Sequence, residues 1–544
     1  MDQSASEQTG PNQTGSGAAG PSGAPGGRIS PATALHRPLC PDGHAALTPP
    51  CAQPCPERAR PFVLAATILA SAMAFIDGSI VTIALPAMQT DLAAGFDDMQ
   101  WVVNAYALLL GSLILVGGGM GDRFGRRRVF VAVFALASLA CALAPSTTAL
   151  IAARGAQGVG AALLVPQSLA IIAAAFPRDA RGHAIGIWAG ASALTTALGP
   201  PLGGFLIDAL DWRSVFWINL PLSAVSIWLA LRYIPESRDD SAAGNTGGLD
   251  WTGAGLAVLA FGVLTVGLTR LAETGGSSLT APLLVCAGLA GTAVFVLAEA
   301  RAANPLMPLS LFRSAAFSGA NLMTLFLYGA LSGMLFLLPF DLIARRGMSA
   351  SEVGLALLPV GLIIGTLSRA AGSLADRTGP RLPLTAGSLL VAGAAAGLAA
   401  GLSDIWIGVM APLVALSAGM ALVVAPLTTA VMNAAPDMQS GTASGVNNAA
   451  SRLAGLFAVA IVGAVAAAVF TTAAADAVTA GDAATATTQI RFGQLPPPGT
   501  AGRAALEAAF LEAYGTAMRV TAVWGGLAAL TALFFLRGDK ALKE

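Results

Sequence analysis

The chain has 544 residues, of which 55% are hydrophobic and only 11% are charged, whereas soluble proteins contain about 25% charged residues. The formal net charge is zero, which argues against a basic surface for nucleic acid. The only two lysines, Lys540 and Lys543, lie in the last five residues. This excludes a Walker-type phosphate loop, which needs a lysine beside its glycines, and an ATP-driven pump built on one.

Residues 1–60 are rich in Gly, Pro, Ser and Ala and show no hydrophobic periodicity. We predict a disordered cytoplasmic tail, because the segment lacks the charged start and apolar core of a signal peptide. Cys51 and Cys55 could bind a metal there, but reduced, unpaired thiols are the simpler interpretation. Two of the three histidines also lie in this tail. The sequence therefore predicts no metal site and no cofactor.

Fourteen apolar segments follow, each of about the length that crosses a bilayer as an α-helix. We predict an all-α polytopic membrane protein with about fourteen transmembrane helices. The predicted spans are 61–87, 100–121, 128–145, 148–175, 183–207, 213–234, 251–271, 280–300, 316–340, 352–375, 382–403, 405–433, 445–471 and 517–536.

The distribution of Lys and Arg indicates the orientation of these helices. If the N-terminus is cytoplasmic, 19 of the 29 Lys and Arg residues lie on the cytoplasmic side and six lie outside. Cytoplasmic loops of membrane proteins carry such an excess. The sequence therefore predicts an even number of spans with both termini in the cytoplasm.

A glycine–aspartate–arginine motif occurs twice, in the same membrane context. The first copy, residues 118–127, links predicted helices 2 and 3, and the second, residues 372–381, links helices 10 and 11. This duplication predicts two six-helix bundles and an inserted helix pair, an arrangement of parallel repeats found among transporters. The predicted parts are the N-terminal bundle 61–234, the linker with inserted helices 235–315, the C-terminal bundle 316–537 with a long extracellular loop 472–516, and the cytoplasmic tail 538–544.

Four motifs in order resemble those of the fourteen-helix drug:proton antiporter family of the major facilitator superfamily. They are residues 76–86 in helix 1, the first motif copy, residues 154–160 in helix 4 and the antiporter motif, residues 199–204, in helix 5. The resemblance implies a major facilitator fold that exports drugs or antibiotics across the bacterial cytoplasmic membrane by alternating access. The expected partners are an amphipathic small-molecule substrate, protons and the lipid bilayer. We expect a monomer.

Asp77 and Arg154 are the candidates for proton coupling, as the resemblance also implies. A carboxylate in the outer half of helix 1 is costly and indicates a function, and burial there would favour its protonated form. At about 1.5 Å per residue, the two side chains differ in depth by about 6 Å, so they could interact directly or through water. The alternatives are a carboxylate fixed by helix dipoles or hydroxyls, and an arginine that only holds helices 1 and 4 together.

The two motif copies and the antiporter motif are predicted to act in gating. Charge pairs around Asp122 could latch one facing state, although the arginines could instead only hold the loop in the cytoplasm. Glycines allow close helix packing or tight turns, and prolines bend helix 5. The predicted gating residues are Gly118, Asp122, Arg123, Gly125, Arg126, Gly199, Pro200, Gly203, Gly204, Gly372, Asp376, Arg377 and Gly379.

The substrate cavity is expected near the midplane between the two halves. Asp341, at the outer end of helix 9, could attract a cationic drug or be a solvated rim residue, and Trp101 could be an interfacial anchor instead. The cavity candidates are Trp101, Asn104, Tyr106, Gln157, Gln167, Tyr328, Asp341, Asn447 and Arg452.

Other functions fit the sequence less well. A proton-coupled importer or a metabolite exporter could use the same fold, although the antiporter motif favours drug export. A non-transporting membrane receptor would leave two copies of a gating motif unexplained. An intramembrane enzyme would need a metal or nucleophile constellation, which the sequence does not offer, so we predict that the protein is not an enzyme.

Overall fold

The computed structural model describes residues 56–124, 132–234, 250–273, 279–436, 439–479, 492–497 and 499–536. These residues are mostly α-helical and include no strand. A helix satisfies its backbone N–H and C=O groups internally, which a chain surrounded by lipid must do. The predicted all-α fold class is therefore confirmed for the described part of the chain.

Fourteen helices of the described chain occupy the fourteen predicted spans. Short π-helical turns extend the ninth helix and precede the twelfth, at Asp341–Arg345 and Trp406–Met410. The helices are α1 (Arg60–Asp91), α2 (Phe96–Phe124), α3 (Ala132–Ala142), α4 (Thr147–Ala175), α5 (Arg178–Ala209), α6 (Ser214–Tyr233, interrupted at Ile218), α7 (Trp251–Glu273), α8 (Thr280–Glu299), α9 (Ala315–Phe340), α10 (Ala350–Thr378), α11 (Arg381–Ala399), α12 (Ala411–Asn433), α13 (Ser440–Thr479) and α14 (Arg503–Phe535).

Twelve of these helices are long and apolar enough to cross a membrane. The two others are α3, of which the structure describes only an apolar stretch of 11 residues, and α5. The chain is thus a multi-pass membrane protein, as its composition predicts.

The predicted extracellular loop 472–516 is wrong in its bounds. Helix α13 continues to Thr479 and α14 already begins at Arg503. The prediction followed hydropathy and stopped at polar residues such as Glu507 and Glu512. The alanine-rich sequence around them has a high helix propensity, and it continues both helices beyond the apolar core.

The helices pack in two equivalent sets. In the first, α1 packs on α5 and α2 on α4, and in the second, α9 packs on α13 and α10 on α12. The two sets meet where α5 contacts α10 and where α2 contacts α13. Helices α7 and α8 pack on each other, and α7 also packs against α13 and α2. The inserted pair therefore lies beside the α2–α13 contact.

We call the end at which α2 and α10 finish, at Phe124 and Thr378, the motif end, because both motif copies lie there. The opposite end, at which α5 finishes and α10 begins, is called the Asp208 end.

Candidate functional site

A buried ion pair joins α1 to α4. Nη1 of Arg154 donates a hydrogen bond to Oδ2 of Asp77 at 2.5 Å. The two side chains are 2% and 0% exposed. The structure thus brings the two predicted proton-coupling residues into direct contact rather than through water.

Gln157 completes this arrangement from the next turn of α4. Its Nε2 donates to Oδ1 of Asp77 at 2.7 Å, and its Oε1 accepts from Nη1 of Arg154 at 2.6 Å. Residues three apart on a helix share a face, which allows both side chains to reach one carboxylate. Gln157 was predicted to line the substrate cavity. It is instead fully buried as a partner of the ion pair.

Helices α2 and α3 supply the remaining polar contacts of the pair. Nε of Arg154 donates to the carbonyl of Val102 at 3.1 Å, and Nε2 of Gln157 donates to Oγ of Ser138 at 3.0 Å. Ser138 was missed by sequence reasoning, because a lone serine in an apolar segment carries no signal of its partners. A buried charge is tolerated when it is paired and hydrogen-bonded in this way.

An aromatic ring covers Arg154 on the side of α2. The guanidinium carbon lies 4.3 Å from the ring centroid of Tyr106, within the range of a cation–π contact. Gly158 makes this possible, because a Cβ at that position would overlap the backbone of Tyr106. Tyr106, a cavity candidate, is therefore adjacent to the ion pair.

The antiporter motif of α5 contacts two different helices. A Cβ on Gly199 would overlap Ser79, and a Cβ on Gly203 would lie 2.8 Å from Ile80, so these glycines pack against α1 within three residues of Asp77. Gly204 instead faces the backbone of Ala350 in α10. One face of α5 thus supports the helix that carries Asp77, and the other forms the contact between the two halves.

Pro200 belongs to the second of these faces. Gly354 of α10 faces its carbonyl group so closely that a Cβ at Gly354 would overlap it. Towards the motif end the fit is lost, because a Cβ at Gly190 or Gly186 would meet nothing within 4 Å. The close contact of the two halves along α5 and α10 therefore extends from the Asp208 end to Gly361, where a Cβ would overlap Ala197.

Asp208 closes this contact. It lies just beyond predicted span 183–207 and accepts the backbone N–H groups of Ala350 at 3.2 Å and Ser351 at 2.8 Å. These groups belong to the free N–H donors of the first turn of α10. The positive end of the helix dipole there stabilises a carboxylate. Burial alone would raise the pKa of Asp208, but the hydrogen bonds from Ser351 and Ala350 outweigh it and lower the pKa. Sequence reasoning missed this residue.

The first motif copy is described only in part. Asp122 and Arg123 lie in the last turn of α2, whereas Gly125 and Arg126 lie outside the described residues. The expectation that Gly118 permits close helix packing is wrong, since a Cβ there would meet Pro166 at an ordinary 3.7 Å. The close approach occurs one residue earlier, where Gly117 faces the carbonyl of Ala162.

Gln167 fixes the same part of α2. Its Nε2 donates to the carbonyls of Gly117 at 2.7 Å and Gly118 at 3.2 Å. Gln167 was predicted to line the cavity, but it is fully buried between α4 and α2. Its amide nitrogen joins these two helices, while its Oε1 is buried without a partner in the described chain.

The second motif copy ends α10 and begins α11. Gly379 has φ 81°, a conformation that favours glycine, and it reverses the chain directly after α10. Asp376 and Arg377 are exposed in the last turn, and within the described chain neither forms an ion pair. Gly372 has only an ordinary contact with Ala425.

Asp341 is neither a solvated rim residue nor a free anionic site. It is 1% exposed, and its carboxylate pairs with Nε of Arg345 at 2.5 Å and with Nε of Arg346 at 2.9 Å. The π-helical turn Asp341–Arg345 brings these side chains together. Both interpretations offered from the sequence are therefore wrong, because the two arginines follow within five residues and occupy the carboxylate.

The remaining cavity candidates lie on α2, α9 and α13. Trp101 is partly buried, and Asn104 is fully buried with neither amide atom paired in the described chain. Asn447 donates to Thr324 of α9 at 2.7 Å, so its amide holds α13 against α9. Tyr328 and Arg452 are both partly buried in the middle of their helices.

Comparisons with known proteins identify the family of this chain. The family model of the Major Facilitator Superfamily matches residues 67–459. The chain belongs to the Major Facilitator Superfamily. The match includes both proton-coupling candidates and both motif copies.

Curated members of the superfamily place the chain among drug-efflux transporters. It is 36% identical over 422 residues to multidrug resistance protein Stp of Mycobacterium tuberculosis, covering 76% of this chain and 77% of that protein. It is 33% identical over 502 residues to the tetracenomycin C resistance and export protein of Streptomyces glaucescens, covering 89% and 93%. The predicted family is thereby confirmed, and the chain is a transporter of the cytoplasmic membrane rather than an enzyme.

Solved transporter structures share the fold of this chain. A bacterial homologue of the human lysosomal transporter Spinster, in an inward-facing and unoccupied conformation, matches with a TM-score of 0.64 and 19% identity. The match covers 88% of this chain and 98% of that one. The major facilitator fold expected from the motifs is thus confirmed.

Proposed function

We propose that the protein exports drugs or antibiotics from the cytoplasm by alternating access, in exchange for protons that enter through Asp77. The observation that supports this most directly is the buried contact of Asp77 with Arg154 and Gln157. The similar proteins named for multidrug resistance and for antibiotic export support the direction and the class of substrate.

Protonation of Asp77 changes the balance of this contact. The carboxylate is held by a guanidinium and an amide N–H, so its negative charge is stabilised as long as both remain in place. Adding a proton removes the charge and leaves Arg154 buried beside a neutral group, which is unfavourable. The protonated protein should therefore prefer a conformation in which α1 and α4 separate or Arg154 gains water.

The antiporter motif connects protonation of Asp77 to the contact between α5 and α10. Gly199 and Gly203 fit against α1, so a movement of α1 at Asp77 displaces α5. The opposite face of α5 contacts α10 at Pro200 and Gly204. A displacement of α5 thus alters the contact between the two halves.

We assign the structure to an inward-open state, with the motif end in the cytoplasm and both termini inside. The Lys and Arg distribution supports this orientation. The close α5–α10 contact at the Asp208 end would then close the outer side. In the alternate state this contact would open and the helices would approach each other at the motif end.

The test is uptake by everted vesicles or proteoliposomes of a panel of fluorescent amphipathic dyes, with and without a proton uncoupler. Wild-type protein should accumulate at least one dye, and the uncoupler should abolish this. Asp77→Asn should lose proton-driven accumulation, whereas Asp91→Asn at the end of the same helix should retain it. Equal accumulation by wild type and Asp77→Asn, unaffected by the uncoupler, would contradict proton coupling. Proton-driven movement in the opposite direction would favour the importer.

A further inference from the structure

We propose that Arg452 is the binding site for an anionic group, a carboxylate, of the transported substrate, with Tyr106 and Tyr328 beside it. The inference rests on the proposed function and names the substrate class as amphipathic organic carboxylates. It depends on where Arg452 lies, on the absence of a protein anion to neutralise it, and on what surrounds it.

Arg452 lies at the contact between the two halves. It belongs to α13, and a Cβ built on Gly111 of α2 would lie 3.2 Å from the Cβ of Arg452. Its charge acts on Tyr106 of α2 and on Tyr328 of α9. One cation therefore lies near a tyrosine from each half, in the region where transporters of this architecture bind their substrates.

Arg452 has no protein anion to pair with in the described part of the chain. It forms no ion pair there, and its Nε is buried without an acceptor. The two buried aspartates are already occupied, Asp77 by Arg154 and Asp341 by Arg345 and Arg346. An arginine within a membrane-spanning helix is costly when unpaired and marks a pathway for substrate or ions. A bound carboxylate would supply the missing partner.

The surroundings suit an anion with an apolar body. The guanidinium group and the Tyr hydroxyl groups are hydrogen-bond donors, and guanidinium binds carboxylate in a two-pronged geometry. Beyond Arg452 on α13, Phe457 packs edge-on against Phe261 of α7 at 5.8 Å. A cationic drug would meet the positive charge of Arg452, and the two buried aspartates, Asp77 and Asp341, are already paired, so the site disfavours cations.

A hydrogen-bonded contact fixes the part of α13 that precedes Arg452. Asn447, five residues before Arg452, donates to Thr324 and to Asn321 of α9. Tyr106 also lies against Arg154. The charges of Arg452 and of the Asp77–Arg154 pair therefore both act on Tyr106.

The test measures binding to the full-length protein in nanodiscs, without any proton gradient. The probes are a dansyl-alkyl carboxylate and the dansyl-alkyl amine of the same chain length, titrated by fluorescence at pH 7.5. The carboxylate should bind wild type at least tenfold more tightly than the amine. Arg452→Gln should weaken carboxylate binding at least tenfold and leave amine binding unchanged or stronger. Arg452→Lys should retain part of the carboxylate affinity.

The control variant is Arg519→Gln, which removes an exposed arginine of α14 and should change neither affinity. Equal binding of the two probes by wild type overturns the inference, whether or not any variant folds. An equal loss of both affinities in Arg452→Gln, with carboxylate binding no better than amine binding in Arg452→Lys, also overturns it. Because no proton gradient is present, this outcome is separate from the proton-coupling test at Asp77.

Discussion

The carboxylate of Asp208 in the first half of the protein accepts the backbone N–H of Ser351 in the second half, at 2.8 Å. A second bond, from the N–H of Ala350, adds to it. The same side chain thereby satisfies free donors of α10 and ties the two halves together. The side chains of Ser349 and Ser351 also interact with this carboxylate, so the contact depends on the residues at the start of α10 as well as on the position of its backbone.

Removing the carboxylate of Asp208 should therefore favour separation of α5 and α10. Asp208→Ala loses hydrogen bonds to a charged acceptor, each worth about 1.5–3 kcal/mol, and a charge at a helix N-terminus worth about 0.3–1 kcal/mol. Spin labels at the exposed positions Leu210 and Leu355, in a background without native cysteines, should report a larger population at long distance. Asp211→Ala, which only removes bonds to residues 213 and 214 of its own turn, should leave the distribution unchanged.

The Asp208 carboxyl itself should not titrate in the physiological pH range. The pKa of Asp208 is lowered while α5 and α10 are in contact, so its stabilising contribution is complete above the ordinary aspartate pKa. It is lost only as the pH falls through the lowered pKa. We expect Asp208→Asn to shift the Leu210–Leu355 distances by the same amount at every pH between 5 and 8. A shift that disappears within this range would contradict the assignment.

Gly203 should not tolerate a side chain, because of its fit against α1. A Cβ there would lie 2.8 and 2.9 Å from the two γ carbons of Ile80, and overpacking of this kind costs about 1–3 kcal/mol. Gly203→Ala should lower the thermal unfolding temperature in detergent micelles. Gly190→Ala on the same helix would meet nothing within 4 Å, and should raise that temperature or leave it unchanged. Equal responses of the two variants would contradict the close fit.

Asp341 should contribute to stability rather than to drug recognition. Asp341→Asn would leave Arg345 and Arg346 without their partner, and breaking a buried pair costs about 3–5 kcal/mol. We expect a lower unfolding temperature but the same order of preference among transported dyes. Asp404→Asn, at an exposed carboxylate that caps Ile407, is the matched control and should have a smaller effect. Selective loss of cationic dyes in Asp341→Asn would support the rejected role in attracting cations.

The sequence predicts the helical spans and the similar depth of Asp77 and Arg154 because both follow from local quantities. Span positions depend on runs of apolar residues, and the depth of each side chain depends on counting along one helix. The role of Gln157 was misassigned because its helix face alone does not tell whether a side chain turns to a cavity or to a carboxylate. Asp208 was missed because its partners lie 142 and 143 residues away and are backbone groups, which no side-chain motif announces.

Helix α5 has one face fitted to the helix of Asp77 and the other to α10, and this has a thermodynamic consequence. Two equilibria that share a rigid element are linked, and linkage between binding equilibria is reciprocal. If proton binding at Asp77 changes the α5–α10 separation equilibrium by some factor, that separation must change proton affinity by the same factor. Gly354 lies on α10, which α5 connects to the helix that carries Asp77. The substitution Gly354→Ala should therefore move the pH midpoint of transport without touching the Asp77 carboxylate.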